Sequence, residues 1–235
     1  MYTNCIYRVS TSAELWTLSF NLGDIVDLAS VRNILDVVTM SLQFNLFDDT
    51  THDRVDRTKY PEGLRYQDAF IDAFEQDELL TSIRDLPFRE FDFHGYAGKR
   101  RVVSFGWRYD YSGLGLQKAP DIPEFLLPLR IGCASFANLS PEMLQQALVI
   151  EYIPGAGIGW HRDKAVFGQV VGVSLLAECI LRFRRKVGEK WERVNVTAEP
   201  LSVYLLSGAV RSEWEHSIPG VKELRYSITF RNVRS

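Results

Sequence analysis

Three side chains suited to metal binding stand in two short segments of this chain. His161 and Asp163 are separated by one residue, and His216 lies far downstream. Two imidazoles and one carboxylate can occupy one face of an octahedral Fe(II) ion and leave the other positions open, as in mononuclear non-haem iron oxygenases. Since an extended strand points every second side chain to the same face, His161 and Asp163 can reach one ion. A surface turn would give the same triplet by chance, so the interpretation needs a second feature.

The second feature is an alternating segment at residues 225–231. Its polar residues share one face of a strand: Arg225, Ser227, Thr229 and Arg231. Its apolar residues share the other face: Tyr226, Ile228 and Phe230. A solvated strand would have this pattern, and so would a barrel strand whose polar face turns inward beside the metal. A buried guanidinium needs an anionic partner and a carboxylate suits its planar fork, so the second alternative predicts a carboxylate co-substrate.

Four segments together resemble a known family. They are residues 105–107, 151–164, 214–219 and 225–231. The last, with arginine, serine, threonine and arginine at alternate positions, is the most specific of them. Through these segments, residues 62–233 resemble the AlkB-like family of Fe(II)- and 2-oxoglutarate-dependent dioxygenases, in particular its bacterial type.

The resemblance implies a role for each matching residue. It implies that the iron ligands are His161, Asp163 and His216. Arg225 would bind the far carboxylate of 2-oxoglutarate, assisted by Tyr152, while Arg231 would lie against the end of the co-substrate that chelates iron. Ser227 would line the same site. The implied cofactors are Fe(II), 2-oxoglutarate and O2, and the implied reaction oxidises the co-substrate to succinate while an alkyl carbon is hydroxylated.

The chain departs from the family pattern at three positions. Ser227 stands where the DNA-repair members carry asparagine, and Ile150 stands where some place an asparagine against the co-substrate. Ala165 stands two residues after Asp163, where those members have an acidic residue that contacts the damaged base. These departures concern the substrate more than the iron chemistry, and they put activity on methylated adenine and cytosine in question.

Aromatic residues alternate along the segment 101–111, which predicts one strand. On one side lie Val103, Phe105, Trp107, Tyr109 and Tyr111. Trp107 aligns with the tryptophan that stacks on the base in nucleic-acid members of the family, so Trp107 and Tyr109 are candidate substrate-binding residues. Alternatively, Val103 and Phe105 belong to the core and only the later aromatics are exposed. Two basic clusters could touch phosphates or be solvated strand ends: Lys99, Arg100 and Arg101, and Arg182, Arg184, Arg185 and Lys186.

Three functions remain open from the sequence. The first is oxidative dealkylation of nucleic acid bases, of the DNA-repair type. The second is hydroxylation or demethylation of a protein or small molecule by the same iron centre, which the residue Ala165 and the net charge of −3 favour. The third is a non-catalytic binding module tethered to a sliding clamp, against which the intact ligand and arginine sets argue.

Composition sets broad limits on the protein. The 235 residues are 46% hydrophobic and 24% charged, which is typical of a globular domain with a sizeable core and an extension. The three cysteines have no spacing typical of a zinc site or disulfide framework, which predicts a cytoplasmic location. No apolar run predicts a membrane span or a signal peptide. We expect a monomer.

Residues 1–61 are predicted to form an N-terminal extension, and 62–235 the dioxygenase domain. Apolar residues at helical spacing predict an amphipathic helix at 31–38. Residues 43–47 resemble the short peptide by which bacterial repair enzymes dock on the sliding clamp, with Gln43, Leu46 and Phe47 as its anchors. A chance apolar pentamer that packs on the domain is the alternative. Met40 is an alternative start of the polypeptide, which intact mass would reveal.

The remaining pattern predicts the architecture. Helices are expected at about 70–86, 123–129 and 141–148, the last two with proline near the first turn. From residue 149 onward, short apolar runs separated by glycine and proline predict successive strands. The expected fold is an all-β core, a double-stranded β-helix or jelly roll, with flanking N-terminal helices.

Overall fold

The computed structural model describes residues 4–10, 15–21, 60–93, 96–110 and 113–234. Its contacts divide the chain into two compact units, Met1–Arg57 and Thr58–Ser235. In the first unit, strands β1 (Asn4–Ser10) and β2 (Leu15–Asn21) pair as an antiparallel hairpin. The sequence did not lead us to expect this hairpin. The predicted helix at 31–38 and the clamp-like peptide at 43–47 lie outside the described residues.

The second unit is built around a large antiparallel sheet. Its strands are β3 (Leu64–Gln67), β4 (Arg89–Phe93), β5 (Tyr96–Phe105), β8 (Gln146–Tyr152), β10 (Phe167–Leu175), β13 (Val203–Leu206) and β15 (Arg225–Val233). They lie in the order β3-β13-β10-β15-β8-β5-β4. The strand β15, which carries the alternating arginines, is therefore central, between β10 and β8.

A smaller sheet and a hairpin complete the β structure. The smaller sheet has the order β12-β11-β14-β9, and its strands are β9 (Ile158–His161), β11 (Cys179–Val187), β12 (Lys190–Ala198) and β14 (Glu215–Ile218). The hairpin consists of β6 (Trp107–Asp110) and β7 (Gly115–Lys118). A core cluster joins Ile150 and Val170 of the large sheet to Leu181 and Phe183 of the small one. The two sheets therefore pack face to face, and the predicted double-stranded β-helix is confirmed.

Two helices cover the other face of the large sheet. Helix α1 (Ala73–Ile83) begins with a capping box, in which the Asp72 side chain accepts from the Glu75 backbone and the Glu75 side chain accepts from the Asp72 backbone. Helix α2 is Leu127–Ala137, preceded by a 3₁₀ turn at Glu124–Leu126, and a short helix α3 (Gly208–Ser212) follows β13. The apolar faces of α1 and α2 join the core cluster that contains Tyr226, Ile228 and Phe230. None of the described helices is long and apolar enough to cross a bilayer.

Two predicted elements differ from the structure. The expected single strand at 101–111 is broken at Gly106, whose φ is +71°, because the backbone there turns to receive a hydrogen bond from Ala119 and donate one to Pro120. The expected helix at 141–148 is wrong beyond its first turn. Pro141–Met143 form a 3₁₀ turn. Strand β8 begins at Gln146 because the backbone from there on pairs with β5 on one side and with β15 on the other.

Candidate metal centre and co-substrate pocket

Two neighbouring strands of the small sheet bring the predicted histidines together. His161, the last residue of β9, pairs directly with His216 in β14, so both side chains share one face of the sheet. His216 also pairs with Phe183, a core residue, so this face points inward. Asp163 lies two residues past the end of β9 rather than in the strand as predicted. The turn into β10 begins at Ala165, and the extended pairing has already ended there.

The three predicted metal ligands form a compact cluster. One ligand atom from each of His161, Asp163 and His216 lies within 4.8 Å of the other two. The His161 and His216 ring centroids are 4.2 Å apart, and Nε2 of His216 lies 3.7 Å from Oδ2 of Asp163. Oδ2 of Asp163 is buried and has no hydrogen-bond donor among the described residues. A buried carboxylate oxygen without a donor is costly, and a cation would satisfy it.

The protonation states suit metal binding. Nδ1 of His161 lies 2.9 Å from the carbonyl oxygen of Gly159, and because a carbonyl can only accept, Nδ1 is the donor in this contact and Nε2 is the ring nitrogen left for a metal. Burial lowers the pKa of His216 to about 4, so its imidazole is neutral at pH 7. Burial alone would raise the pKa of Asp163, but nearby positive charge, above all that of Arg231, lowers it to about 2. The cluster thus brings a neutral imidazole, that of His216, and an ionised carboxylate together with the Nε2 atom of His161.

Arg231 links this cluster to the large sheet. Its Nη2 lies 3.2 Å from Oδ1 of Asp163, and its Nη1 donates to Oε1 of Gln146 at 3.0 Å. Gln146 in turn donates from Nε2 to the carbonyl oxygen of Trp107 at 3.0 Å. A continuous chain of hydrogen bonds therefore runs from the metal cluster to the start of the β6–β7 hairpin.

Arg225 forms a second polar site within the sandwich. Its side chain is fully buried, which rules out the solvated strand. Nε donates to Oγ of Ser174 at 3.1 Å, and the guanidinium carbon lies 4.9 Å from the ring centroid of Tyr152. Nη1 and Nη2 have no acceptor in hydrogen-bond geometry among the described residues. A buried cation in this state fits an anionic ligand bound by two parallel hydrogen bonds.

Residues 54–231 match the 2OG-Fe(II) oxygenase superfamily, which is three quarters of the chain. The chain belongs to this superfamily. The oxygenase is similar to the "Alkylated DNA repair protein ALKBH8 homolog" of Arabidopsis thaliana, with 28% identity over 211 residues that cover 74% of this chain and 59% of the relative. It is also similar to "Uncharacterized protein L905" of Acanthamoeba polyphaga mimivirus, with 34% identity over 195 residues that cover 77% of this chain and 89% of the relative.

A solved structure has the same fold as this oxygenase. "The structure of OsALKBH1" superposes with a TM-score of 0.57 at 17% identity, covering 74% of this chain and 98% of that chain. Family membership makes the protein a 2-oxoglutarate-dependent dioxygenase that uses Fe(II), 2-oxoglutarate and O2. The donor set at His161, Asp163 and His216 fits Fe(II), and the buried Nη atoms of Arg225 fit a carboxylate. The oxygenase spans little more than half the length of its plant relative.

Arg211 is a residue of the site that the sequence did not reveal. It lies in α3 and is buried. Its guanidinium donates to three backbone carbonyls, those of Asp163 at 3.1 Å, Lys164 at 2.7 Å and Phe167 at 2.8 Å. Arg211 therefore holds the segment that carries Asp163 to the start of β10. Ser174 and Gln146 were also not predicted. The roles of all three residues depend on neighbours that are distant in the sequence rather than on local spacing.

The candidate substrate residues of the oxygenase lie on the β6–β7 hairpin. Val103 and Phe105 are core residues, while Trp107 and Tyr109 are half-buried, so the stripe is divided as the second alternative proposed. Nζ of Lys118 lies 3.9 Å from the ring centroid of Trp107, and Nζ of Lys164 lies 5.0 Å from that of Tyr109. Lys164 follows Asp163 directly. The hairpin therefore stands beside the metal cluster.

The remaining sequence positions have plain surroundings. Ser227 is buried between Ile150 and Ser174, its partners on the two adjacent strands. Ala165 is exposed in the turn after Asp163. In the first basic cluster, Arg101 forms a bidentate ion pair with Glu151, with N–O distances of 2.7 and 2.9 Å.

Proposed function

We propose that this dioxygenase removes alkyl groups from alkylated nucleic acid bases. The observation that carries the proposal is the hydrogen-bonded chain from Asp163 through Arg231 and Gln146 to Trp107. It keeps two half-buried aromatic rings next to the metal cluster. An enzyme that alters a base must take it out of its stack and hold it against a ring, and such a hairpin suits that task. The printed name of the plant relative, an alkylated DNA repair protein, agrees with this substrate class.

In this proposal His161, Asp163 and His216 hold the iron, each by the atom that faces the other two. When bound, Fe(II) with 2-oxoglutarate and O2 converts an alkyl C–H into C–OH and releases succinate and CO2. If that carbon is bonded to a base nitrogen, the hydroxylated product loses the carbon as an aldehyde. The side chains keep the three ligand atoms together and exclude bulk water from Asp163.

The co-substrate is oriented by the second polar site. Arg225 binds the far carboxylate through Nη1 and Nη2, the two nitrogens that lack an acceptor. Tyr152 supports the guanidinium with its ring, and Ser227 lines the same strand face. Arg231, 3.2 Å from Asp163, is placed to approach the end of the co-substrate next to the metal. The substrate base is held by Trp107, with Tyr109 beside it.

The test is a panel of DNA and RNA oligonucleotides that carry methylated bases, incubated with Fe(II), 2-oxoglutarate and O2. We expect formaldehyde release that matches succinate release, lost in Asp163→Ala and reduced by at least about fivefold in Trp107→Ala, since stacking contributes about 1–3 kcal/mol per base. Phe74→Ala is the control, because Phe74 is 69% exposed on the helix side. Succinate formation without formaldehyde from any oligonucleotide would contradict the proposal while leaving the dioxygenase intact.

A second candidate is hydroxylation of a protein or small molecule. The exposed Ala165 favours it, because this turn lacks the acidic side chain that contacts a base in the DNA-repair members. Succinate release stimulated by a protein extract from which nucleic acid has been digested would support this candidate.

The N-terminal predictions extend the proposal. We propose residues 62–235 as the dioxygenase domain and 1–61 as an extension whose peptide at 43–47 docks on a sliding clamp. Binding of the full chain to purified clamp, lost in Leu46→Ala with Phe47→Ala, is the expected result. Unchanged binding in that double variant would exclude the peptide as the anchor.

A further inference from the structure

The outward face of the small sheet carries arginines and tryptophans that the proposed chemistry does not use. In β11, Leu181 and Phe183 are buried, so Arg182, Arg184 and Lys186 point to the opposite side. Directly paired residues of antiparallel strands share a face. The pairing of β11 with β12 therefore adds Trp191 and Arg193 to this side. Together with Trp160 of β9, we call these residues the outer arginine–tryptophan face.

Guanidinium groups and indole rings alternate across this face. The Arg182 and Arg184 guanidinium carbons lie 5.1 and 4.3 Å from the ring centroid of Trp160. Arg184 also lies 4.5 Å from the ring centroid of Trp191. The row runs over all four strands, from β9 to β12, a distance of about 14 Å at the usual strand spacing. It forms a continuous track of π surfaces and cations.

The charge of the face is unbalanced. Arg184 and Arg193 are directly paired across β11 and β12, and like charges in that position destabilise a sheet. Glu215 accepts a hydrogen bond from Arg184 at 2.6 Å and is the acidic partner of the row. Arg182 and Arg184 bind Ser217 and Glu215 through Nε alone, so among the described residues their terminal nitrogens have no acceptor. The whole chain, by contrast, has a net charge of −3.

The face begins at the metal cluster. β9 is an edge strand, and its last two residues point to opposite sides of the small sheet, His161 inward and Trp160 outward. A flexible polymer with one unit beside His161 can cross this edge and continue along the outward side. A duplex is too stiff for so sharp a turn, whereas a single strand can follow it.

We propose that the outer arginine–tryptophan face binds the single-stranded nucleic acid that flanks the base in the active site. The inference rests on the proposed function. The phosphates pair with the basic side chains of Arg182, Arg184, Lys186 and Arg193. An unstacked base lies on Trp191, which is 39% exposed. A positive groove with interleaved aromatic rings is the usual means of holding a single strand without reading its sequence.

The test compares unmodified oligothymidylates of about 4 and about 16 nucleotides, the limits of common single-strand site sizes. Binding to the full chain is followed by fluorescence anisotropy at several salt concentrations. We expect the longer strand to bind more tightly. The double substitution K186Q/R193Q should weaken binding of the longer strand by about tenfold. It should also lower the slope of log K against log salt by about 1.4, because each lost phosphate contact contributes about 0.7. Both side chains are exposed, so the fold is not at risk. W191A tests stacking in the same assay.

The charge-matched control is R84Q/R89Q, because both arginines are exposed, at the end of α1 and in β4, outside the small sheet. It should bind the longer strand like the wild type. If K186Q/R193Q and W191A also bind it like the wild type, or if polyglutamate of equal charge competes equally well, this face is not a nucleic acid site. Formaldehyde release from the methylated panel is measured separately. The face can fail with dealkylation intact, and dealkylation can fail while the face still binds oligothymidylate.

Discussion

Arg225 is a cation folded into the protein interior before its partner arrives. Its Nε bond to Ser174 and its position against Tyr152 offset part of the desolvation cost, but Nη1 and Nη2 have no acceptor in hydrogen-bond geometry among the described residues. Two buried donors without acceptors are costly in the free protein, and they increase the benefit of binding a carboxylate. Arg231 differs, because Gln146 and Asp163 already accept from it.

This contrast predicts opposite effects of two similar substitutions. R225M should leave the free energy of unfolding without co-substrate unchanged or raise it by about 1–3 kcal/mol, because a buried unpaired charge is removed. R231M should lower it by about 3–5 kcal/mol, because the buried carboxylate of Asp163 loses its partner. Urea unfolding with and without 2-oxoglutarate and Mn(II) measures both effects. R225M should also lose the stabilisation by 2-oxoglutarate, and a large destabilisation of R225M alone would contradict this explanation.

Arg211 acts through the backbone that carries Asp163. R211M would remove three hydrogen bonds to the backbone between Asp163 and Phe167, although the carbonyl of Lys164 would keep the Phe167 N–H as a donor. We expect affinity for Mn(II), measured from the free-ion electron paramagnetic resonance signal, to fall about 10–100-fold, as for other residues that orient metal ligands. R211K keeps the positive charge but lacks the several N–H donors of the guanidinium, so its affinity for Mn(II) should lie between those of the wild type and R211M. Equal Mn(II) affinity in all three proteins would mean that α3 only fills space.

The sequence was sufficient for residues whose chemistry has a local signature. His161 and Asp163 were indicated by residue type and spacing and Arg225 by alternation along β15, while the family resemblance added His216 and gave each residue its role. Arg211, Ser174 and Gln146 had no such signature. Their partners lie 39 residues or more away in the sequence, in segments whose contacts no single stretch of sequence determines. The hydrogen bonds of these three residues form only in the tertiary fold and therefore leave no pattern in the sequence.

At the scale of elements, the β6–β7 hairpin depends on the break at Gly106. With a φ of +71°, this position is in the left-handed region, and a Cβ would lie 2.0 Å from the carbonyl oxygen of Gln145. The chain therefore leaves β5 at Gly106 and places Trp107 next to Gln146, which pairs with Arg231 in the large sheet. Gly106 therefore contributes to the position of the aromatic residues relative to the metal cluster, together with the hydrogen bond from Gln146 to Trp107.

G106A should consequently destabilise the domain by about 2–4 kcal/mol, from backbone strain and the contact with Gln145 together. The matched control is G188A, where φ is +58° but no atom lies within 4 Å of the new Cβ, so only the backbone cost of about 1–2 kcal/mol applies. Urea unfolding measures the difference between the two variants. Equal destabilisation would show that the contact with Gln145 relaxes without cost.

Elements with a single strong pattern were predictable, and those decided by context were not. Helix α1 appears where apolar spacing and the proline after it indicated. The strand at 101–111 kept its alternation through Gly106, so the pattern alone did not reveal the break. In β8, the residues that follow Pro141 have the propensity for a short helix, but two neighbouring strands offer them a complete set of backbone partners. Tertiary pairing outweighed local preference there.

At the scale of the whole molecule, three adjacent strands of the large sheet are joined by an ion pair beside the core. Glu151 of β8 accepts two hydrogen bonds from Arg101 of β5, and the hydroxyl of Tyr226 in β15 donates to it at 3.0 Å. The adjacent strands β15, β8 and β5 are thus joined by side chains as well as by backbone pairing. The hydrogen bond from Arg101, opposed by burial and assisted by Tyr226, lowers the pKa of Glu151 below its ordinary value of 4.5.

This pKa shift predicts how the stability of the fold depends on pH. A carboxyl group whose pKa is lower in the folded state stabilises the protein above its unfolded pKa, and this contribution is lost as the pH falls through the folded pKa. Half of the Arg101 side chain is exposed, so water screens the pair and its contribution is about 1 kcal/mol. E151Q should therefore unfold at lower urea concentration than the wild type at pH 7, and the difference should shrink as the pH is lowered from about 5 towards 3. E142Q, at an exposed position, should follow the wild-type pH profile. A difference between E151Q and the wild type that stays constant over this range would mean that Glu151 contributes by packing rather than by charge.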